Sequence, residues 1–239
     1  MKRRDFLFVS GATVVGGGAA ALLINQKANG QTNTVKNDSL KLTPPKNGSI
    51  PVAFLISPRF TVIDAMGPWE VFQDAATPES SEGFELFTVA ESLEPVTGSA
   101  GIKVVPHYTF ANAPQPKVVV IGAQAGRAPA MFDWLKKVSE TADVIMSVCT
   151  GAFLLAQSGL IDGKTATTHH DFYDKFAKRF PNIELKRGTR FVEEKKFSSA
   201  GGLTSGIDLA LRVVERYFGR EVAQKTAVYM EYQSRSWMV

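Results

Sequence analysis

The sequence predicts an α/β fold in which a mostly parallel central sheet has helices on both faces. Continuous apolar runs at residues 52–56, 117–122 and 143–148 are typical of strands that are buried on both sides. Segments with helical spacing of apolar residues alternate with these runs along the chain. Because such alternation places a crossover helix between successive strands, it indicates a parallel sheet between two helical layers.

The elements can be assigned in order from residue 52. After the first strand, residues 66–75 are predicted to form a helix, with Pro68 in its first turn, where proline is tolerated. A second strand is predicted at 84–90, and residues 101–105 with Tyr108 are interpreted as a hairpin. Further helices are predicted at 132–141, 150–158, 171–180, 204–218 and 221–232, and further strands at 183–185, 190–192 and 197–199, with a hairpin turn at 193–196.

Residues 1–30 are predicted to be an export signal and not part of this fold. Arg3 and Arg4 precede a Phe-Leu pair and a run rich in glycine, alanine and valine that ends near Ile24. This pattern is typical of a twin-arginine signal, which a receptor recognises. The alternative is an uncleaved membrane anchor at the N-terminus, because the apolar run is almost long enough to span a bilayer. We therefore expect a periplasmic or other extracytoplasmic location.

The rest of the chain divides into a linker and a domain. Residues 31–49 are polar and contain Pro44 and Pro45, which is typical of a linker. Residues 50–239 then form the predicted domain. The chain has 239 residues and 44% apolar residues, which is enough for one compact domain with a core of its own.

The charge pattern argues against a nucleic-acid partner, and the expected partner is a small-molecule substrate. A net charge of +4 and a pI near 9.1 are modest for this length. The basic residues are scattered, as expected for a solvated face: Lys175, Lys178, Arg179, Lys186 and Arg187. No metal site is expected, because the three histidines and one cysteine lack ligand spacing. No cofactor is expected either.

The single cysteine, Cys149, is the first candidate for chemistry. It lies between a predicted buried strand and a predicted helix, and open α/β folds place their sites at such turns. The field of the following helix favours a thiolate there, and a side chain at Gly151 would crowd the turn. The alternative is an inert, buried thiol, which is the commoner state of a free cysteine.

Four segments, at residues 63–72, 147–156, 159–169 and 200–208, resemble those of the DJ-1/PfpI superfamily. This superfamily is also described as class I glutamine-amidotransferase-like, and the likeness runs from about 52 to 232. Within it, the sequence is most similar to the isonitrile hydratase branch, although the ligand-sensing domains of some AraC-type regulators share the same segments. The resemblance implies a flavodoxin-like three-layer sandwich with the cysteine at a nucleophile elbow.

The resemblance also implies catalytic roles for three residues. Cys149 would attack the substrate, Asp64 would hold and return a proton, and Thr150 would be part of the site. From the sequence alone, Asp64 could equally be a helix N-cap, and the Thr150 hydroxyl could cap the next helix. Since Thr150 stands where the protease-like branch has a histidine, no imidazole follows Cys149 to act as its base.

Further residues are expected around the substrate. By resemblance, backbone N–H groups at Gly122 and Ala123 would supply an anion pocket, with Ala123 in place of the usual second glycine. Gly151 and His169 would also line the site. His169 is expected to be satisfied by backbone bonds and not to act as a base. His170 stands where the hydratase branch commonly has tryptophan, and we expect these adjacent rings to point apart on a strand.

These residues lead to one principal hypothesis and two alternatives. The principal hypothesis is a cysteine-dependent lyase that adds water to a small isocyanide and gives an N-substituted formamide. The alternatives are an exported ligand-binding or redox-sensing protein and a DJ-1-like glyoxalase. A transcription regulator is not expected, because the sequence ends at Val239 without a helix-turn-helix and an export signal would separate it from DNA. The superfamily resemblance further implies a homodimer.

Overall fold

The computed structural model describes residues 40–239. The predicted export signal at 1–30 and residues 31–39 of the predicted linker lie outside the described residues. Within 40–239, no helix combines the length and the apolar character needed to cross a membrane.

The described residues contain eleven strands and six α-helices, joined by loops and two short 3₁₀ turns. The strands are β1 Ile50–Leu55, β2 Phe84–Ala90, β3 Val96–Thr97, β4 Lys103–Val104, β5 Tyr108–Thr109, β6 Val118–Ile121, β7 Val144–Val148, β8 Thr165–Ala166, β9 Glu184–Leu185, β10 Phe191–Glu194 and β11 Phe197–Ala200. The helices are α1 Val62–Gln73, α2 Pro129–Ser139, α3 Gly151–Gln157, α4 Tyr173–Arg179, α5 Ser205–Phe218 and α6 Arg220–Tyr229. Strands and helices alternate through most of the chain, as the sequence predicts.

Seven strands form the central sheet in the order β10-β11-β7-β6-β1-β2-β5. Every neighbouring pair is parallel except the hairpin of β10 and β11. The mostly parallel sheet is therefore confirmed, and the predicted turn at 193–196 joins the one antiparallel pair of this sheet. From β1 the chain first adds β2 and β5 on one side of the sheet and then β6 and β7 on the other side. Because open α/β sheets bind ligands where the strand order changes direction, we expect the site at the carboxyl ends of the strands next to β1.

The sheet is covered on both faces, as double-sided strand burial requires. Val52 and Phe54 of β1 pack with α1, α5 and α6, whereas Ala53 and Leu55 pack with α2, α3 and α4. All four side chains are fully or almost fully buried. A buried side chain the size of Phe54 stabilises the fold by about 1.5–3 kcal/mol relative to an exposed one. The three-layer prediction is confirmed by this alternation.

Several predicted elements need correction. Residues 103–104 pair antiparallel with β3, whereas Tyr108 adds to the central sheet parallel to β2, so the hairpin of 101–105 with Tyr108 is wrong. The strand predicted at 183–185 pairs with β8 in a separate two-stranded sheet. Tertiary pairing decides both cases, since each strand has only two residues and local pattern is weak at that length.

Helix α1 begins four residues earlier than predicted. Pro68 therefore lies inside the helix and not in its first turn. Its ring nitrogen cannot donate to the carbonyl one turn earlier, that of Asp64. The first turn of α1 thus includes Asp64, and this places the carboxyl next to the central strands.

Part of the predicted linker is fixed to the domain. The Arg216 Nε atom of α5 donates to the Leu40 carbonyl at 2.8 Å, and the Leu42 N–H donates to the Arg216 carbonyl at 2.8 Å. Leu40 is buried. These contacts hold residues 40–42 against α5 before β1 begins.

Candidate active site

Three loops and the first turn of α1 meet at the carboxyl ends of the central strands. Cys149 follows β7 directly, Gly122 and Ala123 follow β6, and Leu203 lies in the loop after β11. Asp64 is in the first turn of α1, which follows β1. Because β1, β6, β7 and β11 run parallel, their carboxyl ends share one edge of the sheet. Asp64 and Cys149 are therefore brought together although 85 positions separate them in the sequence.

Cys149 is held in the left-handed region of backbone conformation, with φ of 59°. Such a conformation costs a residue with a side chain about 1–3 kcal/mol unless the surroundings fix it. The Cys149 N–H donates to the carbonyls of Ala200 at 3.2 Å and Gly201 at 2.7 Å. The Cys149 carbonyl accepts a 2.9 Å hydrogen bond from Thr168 Oγ1. Hydrogen bonds therefore hold both the N–H and the carbonyl of Cys149 in place.

Gly151 allows α3 to begin against β6. A Cβ atom on Gly151 would collide with the Ile121 carbonyl oxygen and would lie 2.9 Å from that of Gly122. Both neighbours are backbone atoms in the core, so they have little room to move. The expectation that a side chain at Gly151 would crowd the turn is confirmed.

Asp64 is a fully buried carboxyl. Its Oδ2 atom accepts a 3.0 Å hydrogen bond from the Ala123 N–H. Its Oδ1 atom is buried and has no hydrogen-bond partner of normal geometry among the described residues. Burial raises the pKa of Asp64 to about 6, against hydrogen bonding from Ala123, the Cys149 thiol and the Leu203 N–H, which lowers it. The carboxyl can therefore exchange a proton near neutral pH.

The N-cap alternative for Asp64 is wrong. Thr61 occupies the N-cap position of α1, and the Asp64 N–H donates to the Thr61 carbonyl at 3.1 Å. The Asp64 side chain instead bonds across to the loop after β6. Gly122 permits this approach, since a Cβ there would lie 2.9 Å from the Asp64 Cβ.

The surroundings of Cys149 favour the protonated thiol over the thiolate. Burial first, and then the negative charge of Asp64, raise the pKa of Cys149 to about 12, although the N–H groups of Thr150 and Leu203 lower it. The Thr150 N–H at the start of α3 lowers the pKa of Cys149, in the direction expected, but burial and Asp64 outweigh it, so the expected gain in nucleophilicity is not found in the resting site. Helix α3 has only seven residues, and its field does not overcome burial beside a carboxylate.

Thr150 and Ala123 have different contacts from those expected. Thr150 is half-buried at the N-cap position of α3, but its hydroxyl makes no capping hydrogen bond. The contribution of Thr150 to the site comes from its backbone N–H, which interacts with the Cys149 sulfur. The Ala123 N–H is bonded to Asp64 and so is not a free donor for an anion. Ala123 thus positions the carboxyl.

His169 and His170 lie after β8 and not on a strand. They enter a short 3₁₀ turn, His170–Phe172, and their rings stack with centroids 4.4 Å apart at 24°. The expectation of rings pointing apart is wrong, because a turn does not alternate side chains as a strand does. His169 Nδ1 accepts a 3.2 Å bond from the Asp171 N–H, which agrees with a histidine satisfied by the backbone.

The same turn contains three side chains of types that bind metals. One ligand atom from each of His169, His170 and Asp171 can be chosen so that the three lie within 4.8 Å of one another. The two rings are nearly parallel, so their in-plane nitrogen lone pairs lie in separate planes and do not converge on one point. The chemistry derived below uses no metal.

Two contributors to the site are absent from the sequence-based prediction. The Leu203 N–H interacts with both Asp64 and Cys149, and Leu203 has a φ of 52°. Thr168 bonds to the Cys149 carbonyl. The Gly201-Gly202 pair before Leu203 indicates a tight loop, which is the only sequence signal for the first. Gly202 also leaves room for the His169 ring, which a Cβ there would strike.

The family model described as DJ-1/PfpI family matches residues 51–216, which is more than half of the chain. The chain belongs to the DJ-1/PfpI family. The predicted family resemblance is thereby confirmed. The matched residues include Asp64, Cys149 and the loop at 201–203. The candidate site therefore lies within the DJ-1/PfpI domain.

Two curated relatives differ in what they do. The chain is 31% identical over 189 residues to isonitrile hydratase of Pseudomonas putida, which covers 77% of this chain and 79% of that protein. It is 25% identical over 195 residues to the HTH-type transcriptional regulator GbdR of Pseudomonas aeruginosa, which covers 80% of this chain and 53% of the regulator. The chain thus spans about half the length of that regulator. The family includes enzymes and regulators, so the activity has to be inferred from the site.

Solved structures confirm the flavodoxin-like fold. A ThiJ/PfpI family protein from Pseudomonas syringae superposes with a TM-score of 0.69 at 25% identity, covering 90% of this chain and 85% of that one. DJ-1beta of Drosophila melanogaster superposes with a TM-score of 0.68 at 17% identity, covering 78% of this chain and 100% of that one. The second likeness concerns the fold alone.

Proposed function

We propose that this DJ-1/PfpI protein is a cysteine-dependent hydratase that converts a small isocyanide into an N-substituted formamide. The observation behind the proposal is the contact between the buried Asp64 carboxyl and the Cys149 thiol. The relative named isonitrile hydratase supports the same substrate class. An isocyanide carbon must gain both a proton and a nucleophile, and this pair supplies both at one place.

The first step adds the S–H group across the terminal carbon. Because the Cys149 thiol holds its proton much more tightly than Asp64 does, the proton leaves as the new C–S bond forms. Asp64, in its carboxylate form, accepts this proton and passes it to the isocyanide carbon. The product is a thioimidate, R–N=CH–S–Cys149, and Asp64 is again ionised. The N–H groups of Thr150 and Leu203 stabilise the negative charge that develops on sulfur.

The second step adds water and releases the product. Asp64 accepts a proton from water as the water oxygen bonds to the thioimidate carbon, and this proton is delivered to nitrogen. The tetrahedral intermediate R–NH–CH(OH)–S–Cys149 then breaks its C–S bond. Its hydroxyl proton returns to sulfur, which leaves R–NH–CHO and the free thiol. One isocyanide and one water are consumed for each formamide.

The alternative functions make different demands on the same residues. A peroxide sensor needs a stable thiolate, whereas burial and Asp64 raise the pKa of Cys149 to about 12. A glyoxalase would need a histidine poised at the thiol, whereas His169 Nδ1 is engaged by the Asp171 N–H. A ligand-binding protein is the candidate that the likeness to the regulator supports. Such a protein would keep its function without Cys149.

We also propose that the protein acts outside the cytoplasm as a homodimer. The support for export is the pair Arg3-Arg4 before an apolar run in the sequence. The support for association is the exposed apolar pair Val228 and Tyr229 on α6, each 71% exposed. Light scattering coupled to size-exclusion chromatography tests the dimer, and a mass no larger than the 26.0 kDa of one full-length chain would contradict it.

The activity is tested with a panel of small alkyl and aryl isocyanides. Formamide formation is followed by proton NMR for wild type, Cys149→Ala and Asp64→Asn. We expect turnover by wild type and none by Cys149→Ala. The absence of turnover by folded wild type across the panel would contradict the hydratase. Ligand binding retained by Cys149→Ala would then favour the binding protein.

A further inference from the structure

The peptide group between Cys149 and Thr150 has both of its polar atoms occupied. Its carbonyl oxygen accepts a 2.9 Å hydrogen bond from Thr168 Oγ1, and more weakly, at 3.4 Å, from the Ala152 N–H. Its N–H, which belongs to Thr150, interacts with the Cys149 sulfur. One planar group therefore connects the Thr168 hydroxyl to the reactive atom.

The planarity of the peptide links these two contacts. In a trans peptide the C=O and N–H bonds point in opposite directions within one plane. A rotation that breaks the bond to Thr168 therefore also turns the Thr150 N–H away from sulfur. In addition, a hydrogen bond donated to the carbonyl polarises the peptide and strengthens its N–H as a donor.

Thr168 is well placed to hold this peptide. The residue is fully buried, and its hydroxyl donates a hydrogen bond to Cys149, which lies 19 positions earlier in the sequence. The segment is itself fixed, because the Thr167 N–H donates to Ser199 Oγ at 2.8 Å. Cys149 has a positive φ, which a residue with a side chain adopts only when its surroundings fix it.

We infer that Thr168 is a positioning residue for the nucleophile, whose hydroxyl holds the Cys149–Thr150 peptide so that the Thr150 N–H stabilises the sulfur anion during attack. This inference deepens the proposed function, because it concerns the same thiol. It assigns Thr168 no contact with the substrate. It also explains why the hydroxyl of a buried threonine in the segment after β8 bonds to the backbone of the Cys149 turn.

The test compares Thr168→Val with a matched control, Thr167→Val. Thr167 is equally buried, and its Oγ1 donates to the Lys186 carbonyl at 2.8 Å, away from Cys149. Alkylation of Cys149 by iodoacetamide, followed by mass spectrometry from pH 6 to 10, measures thiolate stability without any substrate. We expect Thr168→Val to slow alkylation about three- to tenfold at a given pH, as for loss of one hydrogen bond. Thr168→Ser should restore most of the rate, and Thr167→Val should stay within about twofold of wild type.

Other ionisable groups lie near the thiol, and the comparison requires that they are the same in every variant. They are Asp64 from α1 and, through Asp64, His169 from the turn after β8. None of the variants replaces either residue, so a change in the alkylation rate of Cys149 at a given pH can be assigned to the loss of the Thr168 hydroxyl. With isocyanide as substrate, we expect Thr168→Val to lower kcat with little change in KM.

Two results would overturn the inference. One is alkylation by Thr168→Val within about twofold of wild type; the other is an equal loss in Thr168→Val and Thr167→Val. Thermal unfolding accompanies each variant, and Thr168→Ala replaces Thr168→Val if the latter does not fold. Because alkylation needs no isocyanide, a protein that lacks hydratase activity but shows the expected alkylation pattern contradicts only the proposed function.

Discussion

The Asp64 carboxyl and the Cys149 thiol form a buried donor–acceptor pair that joins the first turn of α1 to the carboxyl end of β7. Asp64 is fixed by the Ala123 N–H, and Cys149 is fixed by the carbonyls of Ala200 and Gly201. Asp64 raises the pKa of Cys149, whereas the hydrogen bond from the thiol lowers the pKa of Asp64, which burial nevertheless raises to about 6. Asp64 is therefore the member of the pair that can gain and lose a proton near neutral pH.

Asp64→Asn should change catalysis and thiol reactivity in opposite directions. Turnover should fall by about 10²- to 10⁴-fold, because the proton carrier is lost. Alkylation of Cys149 should become faster at pH 8, because the negative charge that raises the pKa of Cys149 is removed. Glu70→Gln is the control, since Glu70 is exposed on the same helix. Parallel loss of both rates in Asp64→Asn would contradict the role of Asp64.

The pH dependence of kcat/KM should show an ascending limb near pH 6. The carboxylate form of Asp64 accepts the thiol proton, and the pKa of Asp64 is raised to about 6. Activity should therefore rise as Asp64 ionises. Initial rates at low isocyanide concentration between pH 4.5 and 8 measure the limb, with folding checked by circular dichroism at each pH. A flat profile over this range would argue against Asp64 as the proton acceptor.

The same carboxyl should make the fold less stable as the pH rises. Its pKa is about 6 in the folded chain, against an ordinary value of 3.8, so the folded state binds more protons between these values. Stability is thus lost as the pH rises from about 4 to above 6. Asp64→Asn should raise the free energy of unfolding at pH 8 by at most about 3 kcal/mol, and by much less at pH 4. Urea unfolding at both pH values measures the difference; an equal effect at both would contradict this origin.

Much of this architecture can be predicted from the sequence because burial imposes a pattern on it. The strands at β1, β6 and β7 are buried on both faces, and their apolar runs indicate a covered parallel sheet. The ionisation state of Cys149 could not be obtained in this way. The helix field is a local property, whereas the burial and the Asp64 charge that oppose it come from distant segments. Thr168 was missed for the same reason, since its contact joins two segments that only the fold brings together.

Gly151→Ala should destabilise the protein strongly. Its Cβ would collide with the Ile121 carbonyl oxygen, and we expect a loss of about 3 kcal/mol or more, or failure to fold. Gly67→Ala is the control, because its Cβ would lie 3.1 Å from Cγ1 of the half-buried Ile207 side chain and would strike no backbone atom. That variant should stay within about 1 kcal/mol of wild type. Similar melting temperatures for the two variants would contradict the packing argument.

The export proposal predicts a specific dependence on the arginine pair. Replacing Arg3 and Arg4 by lysine should retain the protein in the cytoplasm, because a receptor reads the pair itself and not its charge. Lys36→Gln, beyond the predicted signal, is the control and should be exported normally. Cell fractionation followed by immunoblotting gives the distribution, and export of the double variant would contradict a twin-arginine signal.

The central claim is that the Cys149 sulfur bonds to the substrate carbon with Asp64 as the proton carrier. Intact-protein mass spectrometry after rapid mixing with an isocyanide tests it most directly. We predict a transient increase equal to the mass of one isocyanide, located on Cys149 by peptide mapping, that decays as formamide appears. An adduct on Cys149 that never decays, or formamide produced by Cys149→Ala at the wild-type rate, would contradict it.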